Sequence, residues 1–454
     1  MFKHTVLATA LAAALGVPAH AFAAEDQTLA QIRAEIQQMK ENYEARIQAL
    51  ENRLQIAETK AVSAPPAAIA TNAVPQTASR APANAFNPEV SLVLGGSYSH
   101  LSQDPNKYRI QGFIPGGDEI GPGKRSFNLG ESELTLSANV DPHFSGKLTF
   151  ALSADNQVSV EEAFFQTQGL AHGVNLKGGR FLSSVGYLNS QHAHSWDFVD
   201  APLVYQAIFG GQYKPDGLQL KWLAPTERFI ELGLEAGNGC AAPGNDRNKN
   251  GAGAVSAFAH IGDDLGESAS WRTGLSYLQT GAKDRIYNDP VNGTDNSFDG
   301  TSKIWIVDGV LKWAPNGNAT RTNLKLQGEY FWRKEAGTLS QGLDAQGYVS
   351  NQAGGYLQAV YQFMPEWRAG LRYDRLNSGT PGLDFSNSTL TVGDFPLLSA
   401  YRPSRSSLMF DYSSSEFSRF RLQFALDKSR PEVTDTQILL QYIMSLGVHG
   451  AHAF

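Results

Sequence analysis

From Phe86 onward the apolar positions recur at every second residue. Val90, Leu92, Leu94 and Tyr98 alternate with Ser91, Gly95, Ser97 and Ser99, and Leu134, Leu136, Ala138 and Val140 alternate with Glu133, Thr135, Ser137 and Asn139. A period of two sends one set of side chains to each face of a strand. Asp141-Pro142 then predicts a tight turn into Phe144, Leu148, Phe150 and Leu152. The same pattern places strands near 90–100, 125–140, 144–154, 158–168, 174–183, 216–224, 228–237, 252–261, 270–280, 302–314, 321–333, 352–364, 367–377, 404–414, 417–428 and 434–446, about sixteen in all.

The connections alternate in length. Short turns fall at Asp141-Pro142, Ala171-His172-Gly173, Ala224-Pro225-Thr226, Met364-Pro365-Glu366 and Ser413-Ser414-Ser415, and long polar loops at 101–124, 184–215, 238–251, 281–301, 334–351 and 378–403. Trp222, Trp271, Trp313, Trp332 and Trp367 fall at predicted strand ends. The expected fold is all-β: a transmembrane antiparallel barrel of about sixteen strands, the even count bringing both barrel ends to one side.

The first 85 residues follow other periods. Lys3 and His4 precede an apolar run from Thr5 to Val17 and small-residue cleavage sites near Ala21 and Ala23, so 1–23 reads as a signal peptide too short to span a bilayer. Over 24–60 the apolar residues change to steps of three and four, with one stutter, which predicts a coiled-coil helix about 50 Å long. Its flanking pairs, Glu35 with Lys40, Arg46 with Glu51 and Arg53 with Glu58, are opposite in sign and favour parallel strands. Residues 61–85 are an Ala/Pro linker, and 86–454 is the barrel.

Composition agrees with one wet and one apolar face. Charged residues are only 18%, and the net charge of −7 is dispersed, which excludes nucleic acid as a partner. Cys240 is the only cysteine, so an internal disulfide and a cysteine-based zinc cluster are both excluded.

Candidate chemistry lies on the face opposite the apolar series. Lys147, Lys177, Lys221, Arg272, Lys312, Lys325, Arg333, Arg368, Arg372, Arg419 and Arg421 face inward with Glu133, Glu231, Glu235, Asp308, Glu329, Asp374 and Asp427. A barrel of about sixteen strands leaves an aqueous channel. Arg368, Arg372, Arg419 and Arg421 form either a basic wall in the lumen or a set paired off by Asp374 and Asp427. His192 and His194, with Asp197 and Asp200, are also weighed as metal ligands, but an H-x-H pair on a loop does not close a tetrahedral shell, and pore lining is the stronger reading. No cofactor is expected, and no nucleophile and base stand at a spacing that suggests an enzyme.

The closing strand around Gln437 to Met444, ending on Phe454, resembles the C-terminal signal of Gram-negative outer-membrane proteins. The whole layout resembles trimeric porins, including phosphate-selective porins with an N-terminal periplasmic coiled coil. Arg46-Ile47-Gln48-Ala49-Leu50-Glu51 resembles the trimeric coiled-coil pattern and assigns trimerisation to Arg46, Ile47, Leu50 and Glu51. By that resemblance the third external loop folds inward, and His192, His194, Trp196, Asp197 and Asp200 form the pore constriction.

The resemblance implies passive diffusion of small hydrophilic solutes or ions, with a mild anion preference, by a homotrimer in outer-membrane lipid. The coiled coil would lie in the periplasm and could reach the cell wall. Phe86 to Val90, Leu129 to Leu134 and Gln191 to Asp200 also resemble uncharacterised outer-membrane proteins labelled zinc-regulated, TonB-dependent receptors, which implies active uptake as the alternative.

Overall fold

The computed structural model describes residues 88–447 except 118–119, 131, 155, 246–249 and 387. The signal peptide, the coiled coil with Arg46, Ile47, Leu50 and Glu51, the linker and Phe454 lie outside the described residues.

Sixteen strands form the wall: β1 (Glu89–Leu101), β2 (Ser126–Leu129 continued by Ser132–Asn139), β3 (Phe144–Leu152), β4 (Val158–Thr167), β5 (Val174–Arg180), β6 (Asp216–Leu223), β7 (Phe229–Gly237), β8 (Ala254–Leu265), β9 (Ala269–Asn288), β10 (Asp295–Trp313), β11 (Asn323–Gln341), β12 (Asp344–Met364), β13 (Trp367–Asn377), β14 (Ser404–Ser415), β15 (Ser418–Lys428) and β16 (Asp435–Gly447). Each pairs antiparallel with its neighbours in sequence, and β16 pairs with β1 from Ser91 opposite Gly447 to Leu101 opposite Gln437. The sheet is therefore a closed barrel with no free edge. Every expected strand has its counterpart here.

Two of the expected loops are strand. The ladder of β9 with β10 continues to Asn288 opposite Asp295, and that of β11 with β12 to Gln341 opposite Asp344, so 281–301 and 334–351 are a tall hairpin wall with turns at 289–294 and 342–343. The reason is a second apolar layer. Tyr287, Phe298, Leu339 and Tyr348 point inward and pack with Ile114, Phe395, Leu397 and Leu398 from loops 102–125 and 378–403. The polar and glycine residues between them disguised the alternation. Trp332 is correspondingly not at a strand end but in mid-strand, opposite Trp305.

Burial separates the two faces. Outward residues such as Leu234, Leu357 and Leu371 are at least 60% exposed, whereas Glu133, Glu235, Asp308, Glu329, Asp374, Arg333, Arg372 and Arg421 are buried inside. On β16, Ile438, Leu440 and Tyr442 face outward, with Gln437 and Ser445 inward. Leu439 and Ile443 also face inward and are buried.

The extended ladder is testable by hydrogen exchange on the folded protein. Backbone amides of 297–300 and 336–339 should exchange as slowly as those of β14, and exchange as fast as that of loop 238–253 would contradict the extended ladder.

Candidate functional site

Between β5 and β6 the chain leaves the wall and crosses the barrel interior as residues 181–215. This segment carries an unusual number of apolar residues for a loop, and they are inside: Phe181, Val185, Phe198, Leu203, Val204, Tyr205 and Ile208 are all nearly inaccessible. A short helix, α1 (Leu203–Phe209), buries every one of its residues and ends at Gly210, whose φ of 65° closes it in the left-handed conformation. A methyl group at Gly210 would meet Gly117 Cα at 2.8 Å, so the 102–125 loop rests directly on this end.

The wall provides matching apolar seats. Leu278, Ile304, Ile306 and Phe331 face inward and pack with α1, the Tyr205 and Phe331 rings lying 5.2 Å apart edge to face. Farther round, Val360 and Met409 cluster with Phe198, and the Arg372 guanidinium lies 4.7 Å from the Phe198 ring centre.

One carboxylate pins the start of the loop. Glu329 of β11 accepts hydrogen bonds from the backbone N–H of Tyr187 (3.1 Å) and Leu188 (2.9 Å), from the Tyr205 hydroxyl (2.8 Å) and from the Tyr356 hydroxyl (2.7 Å). The chain comes this close because residue 186 is glycine. Its φ is +73°, and a Cβ there would collide with Glu329 Oε2.

The second half of the loop meets the arginines. Asp197 lies 3.0 Å from both Lys325 Nζ and Arg368 Nη1, and Asp200 lies 2.8 Å from Arg372 Nη2 and 2.7 Å from Arg405 Nη1. Arg421 donates to the Trp196 carbonyl at 2.6 Å. Burial opposes a charge on Asp200, but Arg405 and Arg372 outweigh it and hold the carboxyl down to about 2. For Asp197 burial is likewise outweighed, here by Lys325 and Arg368, and the group stays well below the usual carboxylate range.

The four arginines are not one uninterrupted wall. Arg368 and Arg372 are on β13 and Arg419 and Arg421 on β15, and β14 between them contributes Asp411, opposite both Arg368 and Arg421. Arg372 lies 3.0 Å from Asp374, yet among the described residues neither Arg419 nor Arg421 has a carboxylate within 4.0 Å.

The histidines occupy a different place from Asp197 and Asp200, so a metal set made of those four residues is excluded. Here the partner is Glu133 of β2, with Oε2 3.1 Å from His192 Nδ1 and Oε1 2.7 Å from His194 Nδ1. Glu161 Oε2 is 3.1 Å from His192 Nδ1, and Glu162 Oε2 is 3.1 Å from its Nε2. Lys147 Nζ lies 2.8 Å from Glu162 Oε2 and 3.1 Å from His192 Nε2. Burial works against a charged His192, but Glu133, Glu161 and Glu162 outweigh it and push its pKa well above the ordinary histidine value.

Glu161 and Glu162 are consecutive, and neighbours on a regular strand face opposite sides. Both are buried inside because the β3–β4 ladder slips by one residue there, Thr149 facing Glu162 and Phe150 facing Val160. No sequence signal marks that bulge. Arg405 was legible, because Ser407, Met409 and Asp411 continue its parity opposite outward Leu408 and Phe410. The Trp196 ring is buried in the loop cluster, its indole N–H donating to the Gln191 carbonyl at 3.0 Å, and its own carbonyl accepts from Arg421. Below the loop a cavity of about 490 Å³ opens toward the short-turn end, lined by His194, Gln362, Glu366, Arg419 and Ile443.

No protein-family model matches this chain. An uncharacterized protein of Aquifex aeolicus (strain VF5) is 31% identical over 395 residues, spanning 82% of this chain and 80% of its own. The chain belongs to the same family as that protein. Among solved structures, a loop L8 deletion mutant of the Vibrio cholerae outer-membrane protein OmpT has a TM-score of 0.49 at 11% identity, covering 79% of this chain and 99% of its own. The outer-membrane channel DcaP of Acinetobacter baumannii has 0.47 at 12% (79% and 97%), and an anion-selective porin from Comamonas acidovorans 0.46 at 10% (79% and 99%).

Two predictions concern the loop of this family member. Glu329→Ala strands two backbone N–H groups and two hydroxyls at about 1–3 kcal/mol each. Protease cleavage within 181–215 should rise at least about tenfold, and Gly186→Val should do the same by steric force. A carboxyl depressed in the docked loop, as Asp200 is, stabilises docking fully above its ordinary pKa near 4 and ceases to as pH falls through about 2. Pepsin should therefore cut 181–215 slowly at pH 4 and markedly faster at pH 2, a difference that Asp200→Asn should reduce.

Proposed function

We propose that this protein is an outer-membrane porin that lets small hydrophilic solutes diffuse passively, with a mild preference for anions, and that it works as a homotrimer rather than as an enzyme. The observation that carries the reading is the inversion of faces: the barrel is closed, apolar and exposed outside, and charged inside. A large exposed apolar surface suits lipid and is a liability in water.

The aromatic residues give that surface a height. Trp305 and Trp332 stand opposite each other in mid-strand and Trp313 stands at the short-turn end, each of them outward. The eight residue steps from Trp305 to Trp313 span about 27 Å of strand at about 3.4 Å per step. With a tilt of about 40° that becomes about 20 Å, near the apolar band of about 25 Å between the aromatic girdles of such barrels. The tall ladder beyond Trp305 would then project from the membrane on the long-loop side, with the short turns in the periplasm.

Selectivity follows from the constriction. Asp197 and Asp200 neutralise Arg368, Arg372 and Arg405 locally, whereas Arg419, with no carboxylate within 4.0 Å among the described residues, lines the 490 Å³ cavity together with Glu366 and Glu416, and Arg421 lies buried beside the loop. An excess of positive charge in a narrow path favours anions. The homotrimer rests on the heptad pattern over 24–60 and its paired charges.

Planar-bilayer recording tests this reading directly. Openings should come in steps of three, with a reversal potential on the anion side that Arg419→Glu combined with Arg421→Glu moves toward cations. Cation preference in the wild type would overturn the anion assignment. A folded barrel that never conducts would overturn the porin and favour the energy-coupled receptor.

A further inference from the structure

We infer that His192, His194 and Glu133, completed by Glu161, form a site for a divalent transition metal, zinc above all, that fastens the inner loop to the β2–β4 wall. The ligand atoms of Glu133, His192 and His194 lie within 4.8 Å of one another. Tetrahedral zinc with bonds of about 2.1 Å holds its ligand atoms about 3.4 Å apart. The observed separations of 3.1 Å from His192 Nδ1 to Glu133 Oε2 and to Glu161 Oε2, and of 2.7 Å from His194 Nδ1 to Glu133 Oε1, are close to that spacing, and Glu161 reaches the cluster through His192.

A second observation points the same way. Glu161 is 1% exposed, and its Oε1 has no hydrogen-bond partner, with only the Lys214 ammonium at 3.8 Å. A buried carboxylate is costly unless cations compensate it; Glu161 Oε2 faces His192 Nδ1 at 3.1 Å, and on the side of Oε1 the Lys214 ammonium stands 3.8 Å away. The bulge that brings Glu161 inside breaks the strand's alternation at this one place.

The surrounding groups match the outer shell of a metal site. A ligating histidine normally gives its other ring N–H to a carboxylate that is itself held in place. With Nδ1 of His192 toward the metal, Nε2 faces Glu162 Oε2 at 3.1 Å. Glu162 is in turn fixed by Lys147 at 2.8 Å and by the Leu182 N–H at 3.1 Å. Two imidazoles and two carboxylates are a borderline-soft set, which suits zinc over magnesium or calcium. His194 lines the 490 Å³ cavity, so the site is reachable from the short-turn end.

This assignment is independent of the channel reading, because binding can be measured in detergent without any conductance. Full-length, metal-free protein would be titrated with zinc chloride against a chromogenic chelator. One zinc per chain is expected, unaffected by millimolar magnesium or calcium. His192→Ala and Glu133→Gln should each weaken it about 100-fold or more. Glu162→Gln, a change at a positioning residue, should weaken it about 10- to 100-fold with the stoichiometry kept. His143→Ala, at an exposed turn, should change nothing.

Cobalt substitution of the wild type serves where a variant fails to fold, and the visible spectrum of tetrahedral cobalt is expected. Three results would overturn the site: no stoichiometric zinc on the wild type, equal binding of magnesium, or zinc binding unchanged in a folded His192→Ala protein. Any of them would leave His192 as an imidazolium held among three carboxylates.

Discussion

The arrangement of the barrel interior depends on a buried carboxylate in the middle of β11. Glu329 is cut off from water and accepts four hydrogen bonds, two from backbone N–H groups at the start of the inner loop and two from tyrosine hydroxyls. Burying a carboxyl in such a place is costly, and its four donors at about 0.5–1.5 kcal/mol each offset part of that cost. The contact requires Gly186, places Tyr205 and hence α1 against the apolar seats of β9–β11, and so fixes where the loop's acidic half arrives on the opposite wall.

From that anchor the loop reads as a strap between two chemistries. On one side it ends among arginines, where Asp197 and Asp200 are matched against Arg368, Arg372 and Arg405. On the other, His192 and His194 sit among Glu133, Glu161 and Glu162. Both sides are paired: Glu133, Glu161 and Glu162 meet His192, Lys147 and Lys214 at β2–β4, and the loop's two aspartates meet arginines at β13 and β14. Loops 102–125 and 378–403 add the apolar layer above, held by the tall β9–β12 ladder.

The inward apolar residues have the same origin. An unfilled lumen would have no use for Ile304, Ile306, Phe331, Val360 or Met409, but a lumen that carries Phe198 and α1 must bury their surface somewhere. Leu439 and Ile443 on the closing strand follow the same inward parity, and Ile443 lines the lower cavity.

The sequence by itself determined the sixteen strands, their order and the inward parity of most charges, because a period of two is a local property. It also marked 184–215 as too apolar for an exposed loop. Tertiary structure alone decided which charges meet. Asp197 and Asp200 lie three residues apart and look like partners of the histidines, yet the loop's path carries them to arginines of β13 and β14 while Glu133, some sixty residues earlier in the chain, reaches the histidines. Glu161 and Glu162 break the strand rule through a bulge, and the upper hairpins owe their length to packing between segments far apart in sequence. Such contacts depend on register and closure around the whole barrel, which no local pattern encodes.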